Sequence, residues 1–220
     1  MGKKHKLFKK DFGSIGIGAM IIFISMVLVA GIAASVLVQT ANRLEMQAMT
    51  TGQETEAEVA TGIHVIDVGG YRSGAADIDY LGIMIAPWAG AKEVDLSQTY
   101  VEISDTNIKN VLKYDSTEFH GKAEINGDMW DAGFFDGLDG TTFGIIIIED
   151  ADNSCNKSTP VINRGDKVVL TCLCGAAGSF GQELAERTDV WGMVQAEDGA
   201  AGVFSFRTPS SYTDSVFDLY

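Results

Sequence analysis

The sequence predicts an α+β protein, in which a long N-terminal hydrophobic α-helix precedes an antiparallel β-sandwich. The helix is indicated by Ile15–Val38, a run of 24 residues whose only polar side chains are two serines. No charged residue lies between Asp11 and Arg43, so the run is uncharged over its whole length. From Thr61 onward, short apolar runs alternate with clusters of glycine, aspartate and asparagine, which is typical of an all-β domain.

The composition argues against several classes of protein. The 220 residues are 46% hydrophobic and 21% charged, which is a globular composition and not that of a disordered chain. The formal net charge of −14 argues against a nucleic-acid-binding protein, because a phosphate backbone selects a basic surface. The charge is unevenly distributed, since five lysines lie in the first eleven residues and the chain after Arg43 is acidic.

The apolar run is long enough to cross a bilayer, whose core is spanned by about 20 apolar residues. We expect one helix over residues 15–50, then a connector that reaches Ala60 and contains a break at Thr50–Gln53. Lysine-rich flanks stay in the cytoplasm, so the acidic part of the chain is expected outside the cell. The helix is apolar on every side over its first two-thirds, so lipid or copies of itself must surround it.

Small residues recur along the predicted helix and favour close helix packing. Ala30 and Ala34 are four residues apart and share a face, as do Gly31 and Ser35, which lets two helix backbones approach. The glycine pair at the helix start is not a dinucleotide-binding loop, because a third glycine and a preceding strand are missing. The predicted helix-packing residues are Gly16, Gly18, Ala30, Gly31, Ala34 and Ser35.

The first thirteen residues are predicted to be a cleaved leader peptide. A secretory signal has an apolar stretch of about 7–15 residues followed by its cleavage site, and the run here is longer. A cut before the run, between Gly13 and Ser14, removes all five lysines and keeps the hydrophobic helix. This is the arrangement of class III signal peptides, which prepilin-type peptidases process.

The sequence around this cut resembles the N-terminus of archaeal flagellins, also called archaellins. The segment Gly13–Gly18 matches the family's cleavage and G-I-G pattern, except that the family typically has glutamine in place of Ser14. Gly18 occupies the fifth mature position, where bacterial type IV pilins usually carry glutamate. The likeness continues to about Gly62 and is weaker beyond it, for example over Glu197–Pro209.

The resemblance implies a structural subunit that polymerises through its N-terminal helix into the archaellum filament for swimming motility. It also implies an immunoglobulin-like outer domain, and hence three segments: the leader 1–13, the filament-core helix and connector 14–60, and the β-sandwich 61–220. The expected partners are copies of itself, sibling archaellins, a prepilin-type leader peptidase, and a membrane assembly platform with its motor ATPase. The precursor is expected in the membrane and the mature protein in the extracellular filament, with no cofactor.

Two other functions fit part of this pattern. An archaeal type IV adhesion pilin shares the leader, and a membrane-anchored cell-surface binding module shares the hydrophobic helix. The chain has no G-x-S-x-G motif and no nucleophile–base arrangement, and its three histidines are isolated in sequence. It is therefore not expected to be an enzyme.

Eight strands are expected in the outer domain. The most distinctive contains Ile145–Ile148, four consecutive isoleucines that are typical of a central strand buried on both faces. Tyr100–Ser104 instead alternates apolar and polar residues, so one of its faces should be solvated. The expected strands are Ile63–Val68, Tyr80–Ala86, Thr99–Ser104, Ile108–Lys113, Phe143–Glu149, Lys167–Cys174, Val190–Gln195 and Gly202–Arg207.

Three cysteines and one glycosylation sequon are the candidate modification sites. A disulfide from Cys155 to Cys172 or Cys174 would form in an oxidising exterior, and three buried thiols are the alternative. Asn156 begins the standard sequon Asn-Lys-Ser in a polar loop, and members of the family that the chain resembles are often N-glycosylated.

The loop 126–140 concentrates aspartates and aromatic side chains. Its carboxylates could chelate calcium, although their spacing is not that of an EF-hand. The alternative is a solvated loop between strands, with its aromatic residues packed beneath it.

Overall fold

A computed structural model describes residues 8–74, 77–175, 178–181 and 183–220, and its side-chain description begins at Gly13. Residues 1–7 of the predicted leader lie outside the described residues. The chain forms two compact units, the first ending at Glu54 and the second running from Thr55 to Tyr220.

A single α-helix, α1, runs without interruption from Phe8 to Ala60. It is long and apolar enough to cross a membrane, and none of its most apolar stretch is buried against the described part of the chain. The expected break at Thr50–Gln53 is wrong. An isolated Gly52 costs a helix only about 1 kcal/mol, and the Thr50 hydroxyl donates to the Met46 carbonyl oxygen at 2.9 Å, within the helix.

The described residues after α1 form twelve strands. All eight strands expected from the sequence are present. Their ends lie within three residues of those expected, except that the strand expected at Ile108–Lys113 runs over Lys109–His120. The other four strands have two to four residues each. The strands are β1 Ile63–Tyr71, β2 Tyr80–Pro87, β3 Val94–Asp95, β4 Tyr100–Asp105, β5 Lys109–His120, β6 Thr142–Glu149, β7 Cys155–Asn156, β8 Thr159–Ile162, β9 Lys167–Leu173, β10 Asp189–Gln195, β11 Gly202–Arg207 and β12 Val216–Asp218.

Nine of these strands make one curled sheet in the order β11-β10-β4-β5-β6-β9-β2-β1-β12. Its pairs are antiparallel except for β5 with β6, which run parallel. The sheet curls until β1 approaches β11, where the Ile63 amide donates to the Ala200 carbonyl oxygen at 3.0 Å. The remaining strands form a small sheet, β3-β8-β7. The expected α+β class with an antiparallel, immunoglobulin-like outer domain is confirmed, with the two layers formed by one continuous sheet.

Strand β6 is the centre of the β domain, which we define as residues 61–220. Ile145 and Ile147 point into the main core, while Ile146 belongs to a second cluster on the opposite face, and all three are buried. The prediction of a central strand buried on both faces is confirmed. Burying an isoleucine side chain contributes about 1.5–3 kcal/mol, so this strand stabilises both layers at once.

The loop 126–140 covers the second cluster. Phe134, Phe135 and Leu138 are buried against Ile146 and Val169 on the outside of the sheet. The short 3₁₀-helix Ala132–Phe134 contains Phe134 and ends just before Phe135, and the Asp131 carboxylate caps it by accepting from the Gly133 amide at 3.0 Å. The interpretation of this segment as a solvated loop with aromatic residues packed beneath it is confirmed.

The hairpin between β10 and β11 passes very close to the start of β1. Gly199 has a φ of +92°, and a Cβ atom there would lie 2.1 Å from the Thr61 carbonyl oxygen. The next residue, Ala200, donates its amide to that same oxygen at 3.0 Å. A side chain at Gly199 therefore meets both an unfavourable backbone conformation and a steric clash.

We predict that Gly199→Ala lowers the free energy of unfolding of the β domain by more than about 2 kcal/mol. The matched control is Gly165→Ala, because Gly165 also has a positive φ of +103° but has open space for a Cβ among the described residues. In the control, only backbone strain should lower the free energy of unfolding, by about 1–2 kcal/mol. Urea unfolding of the full chain in detergent, followed by tryptophan fluorescence, measures this, since all three tryptophans lie in the β domain. Equal losses of unfolding free energy in the two variants would contradict the close approach of Gly199 to the Thr61 carbonyl oxygen.

Candidate functional site

The first candidate surface is the exposed side of α1. Its large apolar side chains between Ile15 and Val38 are each 53–71% exposed. An apolar surface of this extent on a described helix indicates a partner or a membrane, because soluble monomers rarely expose one. The exposed large side chains are Ile15, Ile17, Met20, Ile21, Ile22, Phe23, Ile24, Met26, Val27, Leu28, Val29, Ile32, Val36, Leu37 and Val38.

The predicted helix-packing residues lie along this surface. Gly16, Gly18 and Gly31 have no described atom within 4 Å of the position a Cβ would take. Ala30 and Ala34 are exposed and one helical turn apart, which places them on the same face. The surface therefore offers small residues on which a second helix could pack closely.

The predicted cleavage residues are accessible. Gly13 and Ser14 are both exposed and both lie within α1, five and six residues after its start at Phe8. No described side chain contacts the space beside Gly13.

The second candidate site is a carboxylate cluster formed by Asp150, Asp152 and Asp166. One carboxylate oxygen from each residue lies within 4.8 Å of the others. The loop after β6 supplies the first two residues, and the turn before β9 supplies the third. The hairpin of β7 and β8 lies between Asp152 and Asp166 in the sequence, and it brings these two residues, 14 positions apart, close together.

The cluster is held by hydrogen bonds from its own loops. Asp150 accepts from the amides of Asn153 at 2.7 Å and Cys155 at 3.2 Å. Asp152 accepts from the Asn163 side-chain amide at 2.6 Å, and Asp166 accepts from the Asn163 backbone amide at 2.8 Å. The Asn163 donation is the main cause that lowers the pKa of Asp152.

The electrostatics of the cluster favour a positively charged ligand. Asp166 is 1% exposed, and its Oδ1 atom has no hydrogen-bond partner among the described residues. The adjacent Lys167 pairs with Glu149 at 2.9 Å instead. Burial, and next the charges of Asp150 and Asp166, raise the pKa of the Cys155 thiol to about 12. Three close carboxylates with a buried free oxygen suit a hard divalent cation such as Ca²⁺, which takes oxygen ligands.

The sequence pattern places the possible calcium ligands in a different loop, 126–140. The aspartates of that loop accept local backbone hydrogen bonds, such as Trp130 to Asp128 at 2.9 Å and Thr141 to Asp139 at 2.7 Å. Within the described residues, the acids that converge are those of the 150–166 cluster. The spacing Asp-x-Asp at 150–152 is a signal that the sequence offered, but Asp166 joins it only through the fold.

Two of the predicted modification residues, Cys155 and Asn156, lie in the segment between Asp152 and Asp166, whereas Cys172 and Cys174 lie at the far end of β9 from Asp166. Asn156 is exposed on β7, and its side-chain amide donates to the carbonyl oxygens of Asn153 and Ser154 at 3.2 and 3.3 Å. Of the two alternatives for the cysteines, the structure has the three buried thiols, because Cys155, Cys172 and Cys174 are all free and buried. Burial raises the pKa of Cys172 to about 12, so this thiol stays protonated at neutral pH.

Comparisons with known proteins give one consistent result. The sequence model of the archaeal-type flagellin family matches residues 13–206. Flagellin B2 of Methanocaldococcus jannaschii is 42% identical over 220 residues, covering 99% of both chains. Flagellin B3 of Thermococcus kodakarensis is 34% identical and covers 96% of this chain and 99% of its own.

Solved structures agree with the sequence matches. The crystal structure of the archaeal flagellin FlaB1 from Methanocaldococcus jannaschii is 31% identical, with a TM-score of 0.63 over 73% of this chain and 97% of that chain. The archaeal flagellum of Methanospirillum hungatei has a subunit with the same TM-score, covering 92% of this chain and 98% of its own. At 13% identity, the second structure supports the fold.

We predict that calcium raises the melting temperature of the β domain through the carboxylate cluster. Ligand at a hundred times its Kd adds about 2.7 kcal/mol, which corresponds to roughly 5–10 °C for a domain of this size. Tryptophan-monitored melting of the full chain in detergent, with calcium or with a chelator, measures the shift.

Two matched variants locate the effect. Asp166→Asn keeps an acceptor for the Asn163 amide but removes a carboxylate, and should abolish the calcium shift. Asp131→Asn, in the 126–140 loop, removes the same charge and should keep the shift. A calcium shift that survives in Asp166→Asn would show that the cluster does not bind the ion.

Proposed function

The chain belongs to the archaeal-type flagellin family and is a structural subunit of the archaellum filament, and we propose that the exposed surface of α1 is where identical copies join. The observation that carries this proposal is the apolar run of α1, which no described part of the chain covers. Of the functions considered from the sequence, the archaellin is confirmed by the family, ahead of the adhesion pilin and the surface binding module.

The helix must be stable in two environments. Before assembly, residues 14–60 hold the precursor in the membrane, with the lysine-rich leader in the cytoplasm. After assembly, the same apolar surface packs in a bundle of identical helices. Moving from lipid to a helix bundle changes apolar exposure little, so close backbone packing at Gly16, Gly18, Ala30, Gly31, Ala34 and Ser35 supplies the stabilisation.

Leader cleavage controls the transfer from membrane to filament. The leader carries five lysines, and one lysine at the centre of a membrane helix costs about 2.5–3.5 kcal/mol or more. A prepilin-type peptidase cutting between Gly13 and Ser14 removes all of them and leaves a single amine. The mature helix can then leave the bilayer for the growing filament.

The β domain is the outer part of the filament. It comprises residues 61–220 and is exported with its acidic surface. Asn156 is the proposed glycosylation site, because its side chain is exposed on the surface strand β7. The work of the filament is mechanical, and the chain needs no catalytic residues or cofactor of its own.

The filament grows by repeating one contact. Two different faces of each copy meet head to tail, and such heterologous contacts that do not close produce an open helix. Sibling archaellins can use the same contact. The further partners in this proposal are the leader peptidase and a membrane assembly platform with its ATPase.

Cleavage should be visible in the mature protein. We predict that subunits from native filaments begin at Ser14, as measured by mass spectrometry of the N-terminal peptide. Gly13→Val should leave the leader in place, because a branched side chain fills the space now open beside Gly13. Filaments whose subunits begin at Met1 would contradict this part of the proposal.

The helix bundle is tested by placing a charge in it. We predict that Ile24→Lys abolishes filament assembly, because an unpaired ammonium group would be buried among apolar helices. The matched control is Val59→Lys, which introduces the same charge on the same helix beyond the apolar run. Electron microscopy of cells and a swimming assay measure the outcome. Normal filaments in Ile24→Lys would show that α1 is not buried in the filament.

A further inference from the structure

Arg43 is the first charged residue after the apolar run, and its own helix does not neutralise it. The positions one turn away on either side are Gln39, Thr40, Met46 and Gln47, and none is acidic. Across the part of the chain that the structure describes, no ion pair includes Arg43.

Glu45 is the next charge, and its own helix does not neutralise it either. One turn away on either side lie Ala41, Asn42, Ala48 and Met49, and none is basic. Three of these four neighbours are small or apolar, whereas the later glutamates at 54, 56 and 58 follow Gly52 in a polar stretch.

The helix places these two charges on opposite faces at nearly the same level. At 3.6 residues per turn, positions two apart are separated by about 200° around the axis and about 3 Å along it. Because α1 is continuous from Phe8 to Ala60, this geometry holds at 43–45. Each copy therefore presents a positive charge on one face and a negative charge on the other.

We propose that Arg43 of each subunit forms an ion pair with Glu45 of a neighbouring copy in the filament. This ion pair depends on the proposed polymerisation through α1, because it can form only where two α1 helices meet. Opposite charges on opposite faces are what a head-to-tail contact requires, since the Arg43 face of one copy meets the Glu45 face of the next. In this way each copy is linked to two neighbours.

The pair fixes the axial register of neighbouring helices. The small residues before Arg43 allow close packing, but the apolar side chains around them are similar to one another, so apolar packing distinguishes neighbouring registers less sharply than a charge pair does. A guanidinium group and a carboxylate at the end of the apolar bundle can form an ion pair only in the register that brings them together. A charge left there without a partner is strongly unfavourable. A polar pair inside a helix bundle is a known means of fixing register.

The test is a charge swap in cells that make the filament. Arg43→Glu alone and Glu45→Arg alone should each lower the yield of polymer at least about tenfold, since each brings like charges together at every contact. The double variant Arg43→Glu with Glu45→Arg restores opposite charges and should recover most of the yield. A tenfold change corresponds to about 1.4 kcal/mol.

Controls separate pairing from other effects. Glu56→Arg makes the same reversal on nearly the same face as Glu45, eleven residues further along, and should assemble normally. Mass spectrometry of the N-terminus confirms leader processing in each variant, and tryptophan-monitored melting in detergent confirms that the β domain is folded.

The outcomes distinguish this pair from the proposed polymerisation. If either single variant assembles normally, or if the double variant is no better than the single ones, the pair is wrong. In those cases, loss of filaments in Ile24→Lys still supports the helix bundle. If Ile24→Lys also assembles normally, the polymerisation through α1 fails together with the pair.

Discussion

The uncharged apolar run of α1, which no described part of the chain covers, is the constraint on which the rest of this molecule depends. Burying apolar surface at roughly 25 cal/mol per Å² is the main driving force for folding, and α1 leaves that surface exposed over more than six turns. Only lipid or other copies can cover it. Under the proposed function, the membrane precursor and the polymer are two solutions to the same problem, and cleavage of the leader selects between them.

The β domain has its own core, because both clusters of buried apolar residues lie entirely within residues 61–220. Its central strand β6 contributes to the main core on one face and to the second cluster on the other. Because the loop 126–140 covers the outer face of that strand, its aromatic residues are used for packing. The segment 150–166 connects β6 to β9, and in it the carboxylates of Asp150, Asp152 and Asp166 converge and the sequon residue Asn156 is exposed.

Much of this fold could be predicted from the sequence, and the exceptions have physical causes. The eight longer strands carry alternating or continuous apolar patterns such as Ile145–Ile148, which neighbouring strands reinforce. The strands β3, β7, β8 and β12 have too few residues for a pattern, and pairing with their neighbours defines them. The break expected in α1 failed because strong helix formers on both sides outweigh one glycine. The cation cluster was missed because Asp166 joins Asp150 and Asp152 only after the β7–β8 hairpin has formed.

Screening by salt explains why acidic residues can be abundant on the β domain. Where α1 packs against other helices, charges must instead be rare and must have a specific partner. At physiological ionic strength the Debye length is about 8 Å, so exposed carboxylates on neighbouring copies repel one another weakly. A charge enclosed among packed helices is not screened by salt, and its cost is reduced only by a partner of opposite sign. Chains with many surface acids can therefore assemble in a saline medium. Each charge at the edge of the helix bundle, in contrast, must lie next to an opposite charge on another copy. The need to stabilise these charges therefore also fixes how neighbouring helices align.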